Sequence, residues 1–262
     1  MLAAIDWHVI WVRIAHPDHV FFRALYTTVY IAVISQALGV VLGLIAALMR
    51  SSKLWPLRWL SGLYVLIFRG TPLLVQIFLI YYGANLFLGF TLIPNTLHLG
   101  LFSLDGAIVA GILALGINEG AYMREIIRAG IDSIDAGQME AAKSLGMRYA
   151  LAMRRIVLPQ AARVIVPPLG NEFNNMLKTT SLVFTIGVYE MFSDAEIRYS
   201  NTFLPEMFIA VALWYLVLTG IWTIVQAAIE RKLAASERGD RLTFRERLEL
   251  AWNSPATGLI RR

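Results

Sequence analysis

Charged and amide side chains stand inside stretches of this chain that are otherwise apolar. Asn118 and Glu119 interrupt the run from Leu104 to Ile127, with Tyr122 one helical turn on. Asn171, Glu172, Asn175 and Lys178 interrupt the run from Ile165 to Tyr189. Such groups are costly in an apolar segment and mark a path for a polar solute or an ion. Asn171, Asn175 and Lys178 recur at spacings of three and four, so they share one face of a helix. Glu119 is the first choice for a direct ligand. Glu172 fits a structural ion pair with a basic group better than a ligand role, and Lys178 a gate or a structural pair better than a ligand role. Two carboxylates so placed also fit a proton relay in a carrier driven by an ion gradient.

A second constellation is Arg69-Gly70-Thr71-Pro72, followed by Gln76. Pro72 disfavours helical geometry at Thr71 and leaves the carbonyl four residues back without its usual partner. Broken helices of this kind line cavities in membranes, and the helix N-termini they expose suit a carboxylate. Arg69 to Gln76 is therefore a candidate pathway segment near a gate. The plainer alternative is a proline kink with Arg69 reaching to the membrane surface.

The elements that position these groups are membrane helices. Of 262 residues, 58% are hydrophobic and 16% charged, and the mean hydropathy is +0.62. Soluble domains carry about 25% charged residues. Ala24–Met49, Gly70–Leu104 and Met207–Ile229 hold no charge, and a spanning helix needs about 20 apolar residues. With Leu104–Ile127 and Ile165–Tyr189 the expectation is an all-α protein of about five transmembrane helices. Met1–Phe22 contains Asp6, His8, Arg13, His16 and Asp18. It reads as an interfacial segment with Trp7 and Trp11 at headgroup depth, not as a cleaved signal. Lys and Arg concentrate after the first span, between the third and fourth, and in the tail from Glu230. That places the N-terminus outside and the C-terminus in the cytoplasm. The net charge of +5 is thereby topology, and no nucleic-acid partner is needed. The chain has no cysteine, no HExxH, no GxSxG and no metal-spaced set among His8, His16, His19 and His98. Enzyme and metal chemistry are not expected. No glycine-rich phosphate loop precedes Lys178-Thr179-Thr180, so ATP is not bound in that mode.

The most informative segment is polar: GQMEAAKSLGMRYALAMRRIVLPQA, residues 137–161. Glu140-Ala141-Ala142-Lys143-Ser144-Leu145 favours a short helix. Gly146 lets the chain turn, helix resumes from Met147 to Val157, and Pro159 ends it. A basic helix headed by two alanines can approach another surface closely and dock in a groove of a partner protein. A solvated connection is the alternative on periodicity alone.

Glu140, Ala141, Ala142, Gly146, Ile156, Leu158 and Pro159 stand at the spacing of the EAA loop that marks bacterial ABC importer permeases, and the segment resembles that loop. FRGTPLLVQIF (68–78), AYMREIIRAGIDSI (121–134), RIVLPQAARVIVPPLGNEF (155–173), LKTTSL (177–182) and ALWYLVLT (212–219) resemble the polar amino acid subfamily of the histidine, glutamine and arginine type. The resemblance covers roughly residues 20 to 235. It implies a type I ABC importer permease in a bacterial cytoplasmic membrane: an interfacial segment at 1–19, a transmembrane domain at 20–235 with its cytoplasmic loop at about 128–163, and a cytoplasmic tail at 236–262. It implies that Glu140, Ala141, Ala142, Ser144, Leu145 and Gly146 form a coupling helix seated on an ATPase subunit, which binds the ATP as a separate chain. It also implies a second permease copy or homologue and an extracytoplasmic amino acid binding protein, received by loops near Gly83–Asp105 and Glu190–Glu206. A polar amino acid would then find Glu119 or Glu172 for its ammonium and amides for its carboxylate. Arg124, where the pattern has a small residue, and Asn118-Glu119, where small or hydroxyl residues are common, depart from the subfamily.

Overall fold

The computed structural model describes residues 5–89, 93–99 and 102–235. The Asp6 side chain accepts from the His8 and Val9 amides and starts α1 (Trp7–Ala15). Asp18 accepts from the Phe21 amide and starts α2 (His19–Arg50). These are side-chain caps on amide groups that a helix start leaves unpaired. α3 (Trp55–Gly70) has proline in its first turn, where a missing N–H costs nothing. α4 (Leu73–Phe78) follows, widens into a π-turn at Leu79–Gly83, and closes through α5 (Ala84–Leu88) on Gly89 at φ 71°. β1 (Thr96–Leu99) and β2 (Phe102–Asp105) pair antiparallel, with Thr96 opposite Asp105. Asp105 then caps α6 (Gly106–Asp132) through the Ala107 amide at 2.8 Å. α7 (Ala136–Ser144), α8 (Tyr149–Ala152), a π-turn at Met153–Val157 and α9 (Leu158–Thr179) come next. A 3-10 turn (Thr180–Ile186), α10 (Met191–Thr202) and α11 (Glu206–Ala235) complete the described chain.

Among the described residues, α2, α6 and α11 are long and apolar enough to cross a membrane. The pair Trp55–Gly70 and Leu73–Gly83, bent by 107°, makes a fourth if counted as one broken span. The structure corrects the expected Gly70–Leu104 span. Helix there begins only after the break, stops at Leu88, and gives way to the hairpin. The apolar length before the break belongs to α3, whose Arg58 and Arg69 hid it in the sequence. Pro159 is a second correction. It does not end a helix but sits in the first turn of α9, because the π-turn before it shifts the hydrogen-bond register and no N–H is required there. The basic tail, with Thr243–Trp252 as a possible surface helix, lies outside the described residues.

α2 and α6 form the seam of the molecule. Gly39 and Gly43 on α2 lie against Gly120 on α6, and Gly116 on α6 lies against Leu38 on α2. A Cβ built on Gly43 would stand 2.4 Å from Met123 Cβ, and one on Gly116 would stand 2.6 Å from Leu38 Cδ2. Apolar side chains gain nothing by leaving lipid for each other, so close backbone approach of small residues is what holds such a seam. Ile31, Ala110, Ala114, Leu115, Leu177 and Val183 fill the interior beside it.

At one end of the bundle a charged network ties α2, α10 and α11. Arg198 reaches Asp18 at 2.8 and 3.0 Å and Asp194 at 2.7 Å, and Tyr189 donates to Asp194 at 2.5 Å. Buried Glu190 accepts from the Ser193 amide at 2.8 Å and from Tyr215 at 2.9 Å. Burial pushes the Asp18 carboxyl up, but the Phe21 amide and the Arg198 guanidinium outweigh it and hold the pKa below its ordinary value. A carboxyl lowered in the folded state stabilises above its unfolded pKa, and that stability is lost as pH falls through the folded value. Asp18→Asn should therefore melt below wild type at pH 7, with the gap closing as pH is taken below about 4. Melting of the purified protein from pH 7 down to 3.5 measures this; a gap that stays constant would rule the ion pair out as its source.

Candidate functional site

The break between α3 and α4 positions the site. Pro72 has no N–H, and the freed carbonyl, Phe68 O, accepts instead from Asn118 Nδ2 at 2.8 Å and Gln76 Nε2 at 3.0 Å. Asn118 Nδ2 also donates to Gln76 Oε1 at 3.0 Å, and Gln76 Nε2 to Thr71 Oγ1 at 2.8 Å. Thr71 in turn donates to Ile67 O at 2.8 Å. The two buried amides thus replace the missing helical bonds and fasten the bend to α6, as buried backbone groups require.

Beside this bend lies a cavity of about 600 Å³. The break lines it with Thr71 and Pro72, and α6 with Asn118, Glu119 and Tyr122. α9 adds Glu172, Asn175 and Lys178. Eight of the eleven pathway candidates therefore meet on one wall-to-wall surface, brought from segments a hundred residues apart in sequence. Three do not line it. Gln76 is buried behind the wall, holding the bend. Arg69 is exposed and sits over the Tyr122 ring, its guanidinium carbon 4.9 Å from the centroid, a cation–π contact. Asn171 lies outside the cavity lining: its Oδ1 accepts from Gln226 Nε2 on α11 at 3.2 Å. At about 100° per residue Asn171 keeps the same angular face as Asn175 and Lys178, but it stands one turn nearer the start of α9 and so falls short of the cavity.

Sequence reasoning missed Gln36. Its Nε2 donates to Glu119 Oε1 at 3.0 Å. The signal was there: a buried amide in the uncharged run Ala24–Met49 needs a partner. It missed Ser61 as well, which donates to Ala46 O at 2.7 Å and accepts from Arg124 Nε at 3.2 Å. Arg124, the departure from the subfamily pattern, is buried and also pairs with Glu125. Glu125 accepts from Arg128 at 3.1 Å.

The polar segment forms a separate surface. Asp135 caps α7 through the Gly137 amide at 2.6 Å. At the other end Gly146 N donates to Lys143 O at 2.9 Å and Met147 N to Ala142 O at 3.1 Å. With Gly146 at φ 79°, this is a Schellman close, and the left-handed position is why glycine stands there. Glu140, Ala141, Ser144 and Gly146 are exposed, and Leu145 is 82% exposed. Ala142, at 1%, is buried on a helix that packs against the π-turn, so only one of the two alanines faces outward. An exposed leucine at a helix end, beside exposed Tyr149, is an apolar patch of the kind that marks an interface.

Residues 39–235 match the family of binding-protein-dependent transport system inner membrane components. The chain is 41% identical over 235 residues to a probable amino-acid permease protein, YxeN, of Bacillus subtilis, covering 89% of this chain and 98% of that protein. It is 40% identical over 241 residues to the arginine transport system permease protein ArgU of Corynebacterium glutamicum, covering 89% and 73%. A solved amino acid ABC transporter crystallised with histidines superposes with a TM-score of 0.75 at 38% identity, covering 87% of this chain and 99% of that one. The methionine transporter MetNI in an inward-facing form shares the fold, with a TM-score of 0.66 at 15% identity. The chain therefore belongs to the binding-protein-dependent transport system inner membrane component family, and it is a membrane-embedded permease subunit of the ABC importer type.

Proposed function

We propose that this permease carries polar amino acids inward across a bacterial cytoplasmic membrane, driven by ATP hydrolysis on a separate ATPase dimer. The observation that carries the reading is the cavity where the broken span, α6 and α9 meet. It offers two carboxylates, one ammonium and two amides to a small zwitterion. Asn118, Glu119, Tyr122, Glu172, Asn175 and Lys178 would meet the substrate, while Arg69, Gln76 and Asn171 hold the walls. The α1 end faces outward, as the Lys and Arg distribution requires, and α7 faces the cytoplasm. There Glu140, Ala141, Ser144, Leu145 and Gly146 seat on the ATPase, with Ala142 anchoring α7 to its own chain. A second permease, identical or homologous, completes the path, and an extracytoplasmic binding protein delivers substrate. Membership of the family disfavours an ion-gradient-driven carrier.

The test is reconstitution with ATPase and binding protein in lipid nanodiscs, adding each of the twenty amino acids. Stimulation of ATP hydrolysis by one or a few polar ones is expected; stimulation by none would reject the reading. With the same subunits in sealed proteoliposomes, the double variant Thr71→Ala/Pro72→Ala restores the N–H and unfastens the bend. It should lower transport about tenfold or more, since a misplaced wall costs on that order. Normal transport would remove the break from the pathway.

A further inference from the structure

Gln36 is 6% exposed within α2. Its Nε2 donates to Glu119 Oε1 at 3.0 Å and lies 3.8 Å from Met123 Sδ. Its Oε1 is buried with no hydrogen-bond partner among the described residues. Burying an unpaired carbonyl lowers stability, so packing alone does not explain an amide here. Its one strong contact is the carboxylate that lines the cavity. One turn on, Gly39 makes room for that carboxylate's stem, since a Cβ there would stand 2.5 Å from Glu119 Cγ. α2 therefore fixes Glu119 twice, by an absent side chain and by a donated hydrogen bond.

The cavity walls carry Glu119, Glu172 and Lys178. A neutral amino acid, with one ammonium and one carboxylate, matches Lys178 and one of the carboxylates and leaves the other unmatched. Unpaired charge in such a place is costly. A substrate with a second positive group removes the imbalance. We propose that Gln36 is a specificity-determining residue: it holds Glu119 as the anion for that second positive group, so the cavity takes cationic amino acids in preference to neutral ones of the same shape. The proposal rests on the amino acid reading above and deepens it.

The probe pair is L-arginine and L-citrulline, alike in shape, with the guanidinium replaced by a neutral urea. Binding is measured by titration calorimetry on the permease–ATPase complex in nanodiscs, without binding protein, so that the cavity alone discriminates. Arginine should bind about tenfold or more tighter than citrulline, as a site with a dedicated polar partner rejects the analogue that lacks the group. Glu119→Gln should bring the two together. Gln36→Met keeps the volume and removes the donor; it should weaken arginine about tenfold while leaving citrulline within about threefold. A wild-type ratio under about threefold, which needs no variant, overturns the proposal, as does a Gln36→Met complex that weakens both ligands alike. If no amino acid binds or stimulates ATP hydrolysis, the amino acid reading itself falls, and this proposal with it.

Discussion

Gly146→Asp is expected to yield a folded permease whose partner ATPase no longer answers to substrate. The fold should survive, because a Cβ at Gly146 meets nothing within 4 Å. The damage is confined to the end of α7. At φ 79° a residue with a side chain is strained by about 1–2 kcal/mol, less for aspartate than for most. A negative charge at a helix C-terminus opposes the helix dipole by about 0.3–1 kcal/mol more. Both effects fall on the Schellman close that presents Leu145, the most exposed hydrophobic side chain of the segment. Substrate-stimulated ATP hydrolysis should fall about tenfold or more, in the range that loss of an interface hot spot produces, while melting stays close to wild type. Gly146→Ala, strained but uncharged, should lie between. Full stimulation in Gly146→Asp would mean that α7 does not transmit the ATPase stroke.

What the sequence disclosed and what it withheld divide along the range of the interactions. The α7 turn was legible because its parts are local: a helix-forming run, then a glycine at the one position that needs positive φ. The break at Thr71-Pro72 was legible for the same reason, since proline acts on the residue before it and the carbonyl four back. The cavity was legible residue by residue, because a carboxylate or lysine in an apolar helix declares itself whichever way the helix turns. Reach along a helix and pairing were not legible. Asn171 shares a helix face with Asn175 and Lys178, yet it stops short of the cavity and bonds Gln226 on α11. Gln36 finds Glu119 across 83 residues, a pairing that exists only once α2 lies on α6. α3 was overlooked because Arg58 and Arg69 interrupt its hydropathy, although they stand near its two ends.

That pairing of α2 with α6 gives the largest expected loss of stability. A Cβ on Gly43 would stand 2.4 Å from Met123 Cβ, 2.9 Å from Arg124 N and 3.0 Å from Gly120 O. None of these atoms can swing away, because two are backbone and the third is fixed to it. The only relief is to part the helices, and parting them removes the contacts that hold a lipid-embedded seam together. It also draws Gln36 away from Glu119 and opens one wall of the cavity. Gly43→Ala should cost about 1–3 kcal/mol, as overpacking a dense interior does, and Gly43→Val should leave little monodisperse protein. The controls are Gly62→Ala and Gly220→Ala, where a Cβ meets nothing within 4 Å. Replacing helical glycine by alanine there should be neutral or mildly stabilising, by up to about 1 kcal/mol. Size-exclusion yield and melting temperature of the four variants decide the matter. If Gly43→Ala purifies and melts like Gly62→Ala, the seam is looser than its geometry, and α2 does not hold Glu119 in place.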